Sequence, residues 1–106
     1  SSDLKAISTG TVETNAGRPE MVRLYTLLES EALSKDHPVH EYFEQREINL
    51  LKEYTFAAKR DGVVDPERTA LQVLSAMEGL QLRWLNESHD IDFVGEWKAL
   101  IGLLIP

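Results

Sequence analysis

The sequence predicts an all-α chain, an antiparallel helical domain of four to five helices. Three observations predict it. Apolar residues recur at three- and four-residue spacing through most of the chain. Pro19, Pro38 and Pro66 each stand at the start of such a stretch, where a missing N–H costs nothing, and Gly62 stands just past the end of one. No sustained two-residue alternation bounded by hairpin turns competes, and no internal repeat occurs. At 106 residues the chain is one domain that buries about two-thirds of its extended surface, so few of its helices can be covered on every side.

Taken in order, residues 1–17 read as a linker or as the remnant of a connecting helix. Residues 3–7 suit the last turns of a helix, and residues 8–17 (STGTVETNAG) are small, polar and rich in turn formers, a loop. Residues 18–106 form the domain proper. Its first helix spans 18–34, with Met21, Leu24, Tyr25, Leu28 and Ala32 on one face and Asp36 capping the next helix. The longest helix spans 37–60. Its stripe of Val39, Tyr42, Phe43, Leu50, Tyr54 and Ala57 contains Arg46, which must pair with a carboxylate, reach out along its stem, or face a cavity. Glu29 and Glu78 are the expected partners.

The central helix follows at 65–87. Asp65 is its N-cap and Glu67 favours the positive end of its dipole. Its apolar residues cover roughly 200° of the helix, wider than a single stripe. Two readings stand: burial in the middle of its own domain, or one side in its own core and the other against a second subunit. The last helix, 91–105, is capped by Ser88 or Asp90. It carries Phe93, Val94, Trp97, Leu100, Ile101 and Leu104 as a stripe, with Gly95, Ala99 and Gly102 beside it. Small residues at that spacing let another backbone approach.

Composition removes several function classes. The net charge of −7, with no Lys/Arg cluster, opposes direct contact with nucleic acid. No cysteine is present, so there is no disulfide framework, and a reducing, cytoplasmic setting is expected. No apolar run approaches the roughly 20 residues of a membrane span, so no membrane partner is expected. The chain starts at Ser-Ser with no visible signal peptide, which suggests a piece of something longer or a processed terminus. His37, His40, Glu41 and Glu44 share ligand-like spacings, but no second Glu-x-x-His completes a metal site. No nucleophile–base arrangement, phosphate loop or H-E-x-x-H occurs. Neither an enzyme nor a cofactor is expected.

A resemblance adds to this. The order His37-Pro38-x-His40-x-Tyr42-Phe43, then Gly62, then Asp65-Pro66-Glu67, then Gly79-Leu80-Gln81-Leu82-x-Trp84-Leu85 resembles the C-terminal domain of the tetracycline-repressor (TetR) family of bacterial transcriptional regulators. The similarity covers about residues 18–104. It implies an effector-sensing and dimerisation domain whose last two helices form an intersubunit four-helix bundle. Family members carry an N-terminal helix-turn-helix, which nothing here resembles, so DNA would be contacted only through that absent domain. The alternative from another class is a free-standing helical interaction module with no ligand.

Two sets of residues follow. Tyr25, Phe43, Arg46, Leu50, Tyr54, Met77 and Gln81 combine apolar stripes with isolated polar groups, the mixture that orients a small, largely apolar effector. Gly79, Leu82, Leu85, Gly95, Trp97, Ala99, Leu100, Ile101 and Leu104 are the expected homodimer interface, because a monomer offers them too little cover. Such an interface would bury on the order of 2,000 Å² or more.

Overall fold

In a computed structural model describing residues 2–106, five helices follow one another: α1 (Asp3–Ala16), α2 (Pro19–Glu31), α3 (His40–Arg60), α4 (Pro66–Leu85) and α5 (Phe93–Leu104). There is no strand among the described residues. The protein is all-α.

Local chemistry explains most of the boundaries. Asp65 caps α4 by accepting from the Arg68 N–H, with Pro66 at the first helical position. Gly62 takes φ +75° just beyond α3. Its N–H bonds to the Lys59 carbonyl, and the Val63 N–H reaches back to the Ala58 carbonyl. This is a Schellman closure, and a side chain at Gly62 would strain it.

Two expected caps move. Asp92, not Ser88 or Asp90, caps α5 through the Gly95 N–H at 3.1 Å. A Cβ on Gly95 would press against that carboxylate, so this glycine already has a reason within its own chain. Asp36 does not cap α3, which starts at His40 without a side-chain cap. Pro38 disfavours helical backbone at His37, and residues 32–39 instead turn, with the His37 ring accepting from the Val39 N–H.

The larger correction is α1. Residues 8–17 are not a loop: the chain is helical from Asp3 to Ala16. Propensity and turn composition favoured a loop, and tertiary packing outweighs them. Leu4, Ser8 and Val12, at four-residue spacing, are buried. The helix start is tied down from far along the chain. The Asp61 carboxylate accepts from Ser2 Oγ (2.6 Å), the Asp3 N–H (2.7 Å) and the Leu4 N–H (3.1 Å). Burial alone would raise the Asp61 pKa, but these bonds and the Arg60 charge hold it below its ordinary value.

The core lies where α1, α3, α4 and α5 meet. Trp97, Tyr54 and Phe93 are its largest fully buried side chains, joined by Leu4, Val12, Val73, Leu74, Met77 and Ile101. Trp84 stacks on Phe93 at 4.7 Å between ring centres, binding the end of α4 to the start of α5. Helix α2 stands apart, with Val22 its one buried residue. The Arg23 guanidinium donates to the Leu85 carbonyl, and Tyr25 meets Phe43 edge-on. The fold is flat, 38 × 32 × 17 Å, with a radius of gyration of 14.2 Å. A compact domain of this length has about 13 Å.

This arrangement corrects part of the expected interface. Leu85, Trp97 and Ile101 are buried in their own chain and have no surface to offer a partner. The cover that Trp97 and Ile101 needed is supplied by α1, which packs along α5. Gly79 and Leu100 are half-buried, whereas Leu82, Gly95, Ala99 and Leu104 are exposed. Among the described residues, no helix is long and apolar enough to cross a membrane.

Candidate functional site

The site forms where the loosely held α2 fails to close against the other helices. Helices α1, α3 and α4 enclose a cleft of about 510 Å³ whose apolar wall is Leu50, Tyr54, Leu74 and Met77. Thr11 and Asn15 of α1 and Gln81 of α4 supply neutral polar groups. A second depression of about 350 Å³ continues it under α2, lined by Met21, Val22, Tyr25 and Tyr42. The two share Asn15, Arg18, Glu29, Arg46 and Gln81, so they form one continuous hollow. Both volumes fall within the range of small-molecule sites.

Of the seven residues expected at the pocket, Arg46, Leu50, Tyr54, Met77 and Gln81 line the larger cleft. Tyr25 lines the adjoining depression with Arg46 and Gln81. Phe43 lies apart from these. It lines a third hollow of about 330 Å³, with His40, Glu44, Glu47 and Glu78. Its register explains this, because Phe43 stands nearly one turn before Arg46 and falls under Ala32 and Leu33 rather than facing α1.

Three polar arrangements fix the walls. Tyr54 Oη donates to Thr11 Oγ1 at 3.0 Å, and Asn15 Nδ2 donates to Gln81 Oε1 at 3.0 Å, so α1 is held to both α3 and α4 through cleft residues. Burial raises the Tyr54 hydroxyl pKa, which keeps it a neutral donor. Arg46 pairs with Glu29 at 3.7 Å and lies 5.4 Å from the centre of the Tyr25 ring. The charge on the α3 stripe is thus half-exposed and partnered by α2.

Carboxylates gather at the junction. Glu29, Glu47 and Glu78 come from three different helices. Burial raises the pKa of Glu29, and the Arg46 charge only partly offsets this. Glu78 is pushed up to about 7 by burial and by the Glu47 and Glu29 charges, against the pull of Arg46. No family model matches the chain, and neither does any curated protein or solved structure.

The His37–Glu44 segment does not build a metal site. His40 Nδ1 bonds to the Ala32 carbonyl at 2.7 Å, His40 Nε2 lies 3.6 Å from Glu44, and His37 turns to Glu31. Among the described residues, no cluster of three or more His, Cys, Asp or Glu side chains is arranged to hold a metal ion.

Sequence reasoning missed Thr11, Asn15 and Arg18, because it placed the first two in a loop and the third outside the cavity. The four-residue spacing of Leu4, Ser8, Val12 and of Thr11, Asn15 is the signal that could have found α1's two faces.

Proposed function

We propose that this chain is the effector-sensing and dimerisation domain of a TetR-like bacterial transcriptional regulator. In this reading, a small, largely apolar molecule controls DNA binding by an N-terminal domain outside this sequence. The observation that carries the reading is the continuous hollow between α1, α2, α3 and α4, whose apolar wall is interrupted by a few converging polar groups. The order of motifs from His37 to Leu85 supports the same family. The effector would have to bind one arrangement of the domain better than another, since equal affinity shifts nothing.

Dimerisation is the second half of the proposal. Leu71 and Leu82 on α4 and Leu103 and Leu104 on α5 are exposed. Gly95, Ala99 and Gly102 form a small-residue strip on the face of α5 turned away from Phe93, Trp97 and Ile101. A two-fold pairing through these helices would cover both. Light scattering at micromolar concentration should then give twice 12.0 kDa, about 24 kDa. Leu103→Glu should halve that mass while keeping the helical signal. A mass of one chain at every concentration would overturn the dimer. The encoded sequence immediately upstream tests the family directly: a helix-turn-helix supports the reading, and a start codon at Ser1 removes it.

A further inference from the structure

The hollow accounts for the inner face of α2 and leaves its outer face without a role. Glu20, Leu24, Leu27 and Glu31 follow one another by four, three and four residues, so they share one line along the helix. All four are exposed, Leu24 by 52% and Leu27 by 59%. Met21 flanks the line and is 48% exposed. Single exposed leucines are ordinary, but adjacent ones rimmed by charge mark an interaction surface. The rim has one sign. Arg23, the one cation within α2, is turned to the Leu85 carbonyl and to Glu87, and Lys35 lies beyond, in the turn that follows the helix. Glu20 has no ion-pair partner among the described residues, and Glu31 has only the His37 ring at 3.9 Å. The outer face thus presents an apolar middle between two carboxylates roughly 16 Å apart along the helix axis.

We propose that this outer face of α2 docks a basic amphipathic helix of another protein, its apolar residues on Leu24 and Leu27 and its Lys or Arg side chains at Glu20 and Glu31. The inference is independent of the effector reading, which uses the opposite face of α2. A second copy of this chain is a poor occupant. Two α2 helices laid antiparallel bring Glu20 of one against Glu31 of the other, and two laid parallel bring like against like, so both pairings repel. An anionic lipid surface is repelled by the same carboxylates and by the net charge of −7. A helix matches the stripe because its own apolar residues recur at three- and four-residue spacing. Cations flanking those residues meet the two carboxylates, which fix the register and speed the encounter.

The test uses the full chain and three synthetic peptides of about 18 residues, long enough to span α2 as helices. One carries leucine at helical spacing among lysine and alanine, one replaces each lysine by glutamate, and one keeps the first composition with its leucines scrambled. Fluorescence anisotropy should show the first binding at least about tenfold tighter than the other two, and the amide NMR shifts it causes should centre on residues 20–31. Leu24→Ser and Leu27→Ser should each weaken it about fivefold or more. Glu20→Gln and Glu31→Gln should each weaken it about two- to threefold, and less at high salt. Val64→Ser and Glu13→Gln, exposed positions outside α2, should change nothing. Equal binding of the scrambled peptide, equal losses in those two controls, or shifts centred away from α2 would assign the binding to overall charge and overturn the inference. Equal or tighter binding of the glutamate peptide, or binding of none of the three, would overturn it too. Light scattering of Leu24→Glu should give the parent's mass, and a lower mass would seat a second copy on this face instead. Each of these failures leaves the hollow, and the effector reading, untouched.

Discussion

On one side of the molecule, Trp97, Tyr54 and Phe93 are fully enclosed by α1, α3, α4 and α5. On the other, α2 buries only Val22, while Met21, Leu24 and Leu27 remain exposed. The two sides are held by different forces. Burial of large apolar side chains, worth roughly 1.5–3 kcal/mol each, holds the first. A guanidinium on a carbonyl, an ion pair and an edge-on aromatic contact hold the second. Each of those contributes about 1 kcal/mol or less. A wall held this weakly can open and reclose at low cost. The side that carries the hollow is thus also the side that can yield to a ligand.

The largest effect should come from the packed side. Trp97→Ala should cost about 3–5 kcal/mol in chemical denaturation, because nothing nearby can refill that volume. Trp97→Phe should cost much less than its lost area suggests, since it also removes an indole N–H that has no hydrogen-bond partner in the core. If Leu24→Ala on α2 matched the Trp97→Ala loss, the contrast between the two sides would be broken.

Asp61→Ala comes next. It orphans the first N–H groups of α1 and should cost about 1–2 kcal/mol, measured by the same denaturation. Its pH dependence has a definite sign. The folded-state pKa of Asp61 lies below the unfolded one, so its stabilisation is present at neutral pH and is lost as pH falls through the folded value.

Glu78, on the cleft side, should slope the opposite way. Its folded pKa is raised from 4.5 to about 7, so the favourable protonated form is fully present below about 4.5 and is lost as pH rises through about 7. Glu78→Gln should therefore stabilise the protein at pH 8 by about 1 kcal/mol, a figure reduced for solvent screening of a partly exposed side chain. At pH 4 the two proteins should melt together. A variant that melted lower than the parent at pH 8 would mean that Glu78 already has a partner. The smallest effect is expected on α2, where Leu24→Ser or Leu27→Ser should change stability by less than about 0.5 kcal/mol. A larger loss would mean that this face is covered in solution.

Helices α2 to α5 were readable because their stripes, prolines and Gly62 agree with one another at the local level. Helix α1 was not. Ser8, Thr9, Gly10, Thr11 and Thr14 are weak helix formers, and what overrides them is contact with residues more than forty positions away. That single omission accounts for the misplacement of Trp97 and Ile101. Without α1, Trp97 and Ile101 had no cover in the chain, and a second subunit was the only cover left to assign. Six of the seven expected pocket residues were legible because isolated polar groups on apolar stripes have few places to go. Phe43 was not, because a stripe gives direction around a helix but not height along it. The carboxylate convergence was only half visible. Glu29 and Glu78 could be named as partners for Arg46, but not that Glu47 would meet them.

The clasp at Asp61 also constrains the order in which the chain can fold. The groups that start α1 are bonded by a carboxylate 57 to 59 positions away. Closing a loop of that length costs chain entropy before any bond repays it. Helix α1 is too short and too poor in helix formers to persist alone. The end of α3, already fixed by its Gly62 turn, must therefore exist before α1 can nucleate on it. Protection of the α1 amides against hydrogen exchange should appear late in refolding, after that of α3 and α4, and Asp61→Ala should delay it further while leaving the α3 amides on their original schedule.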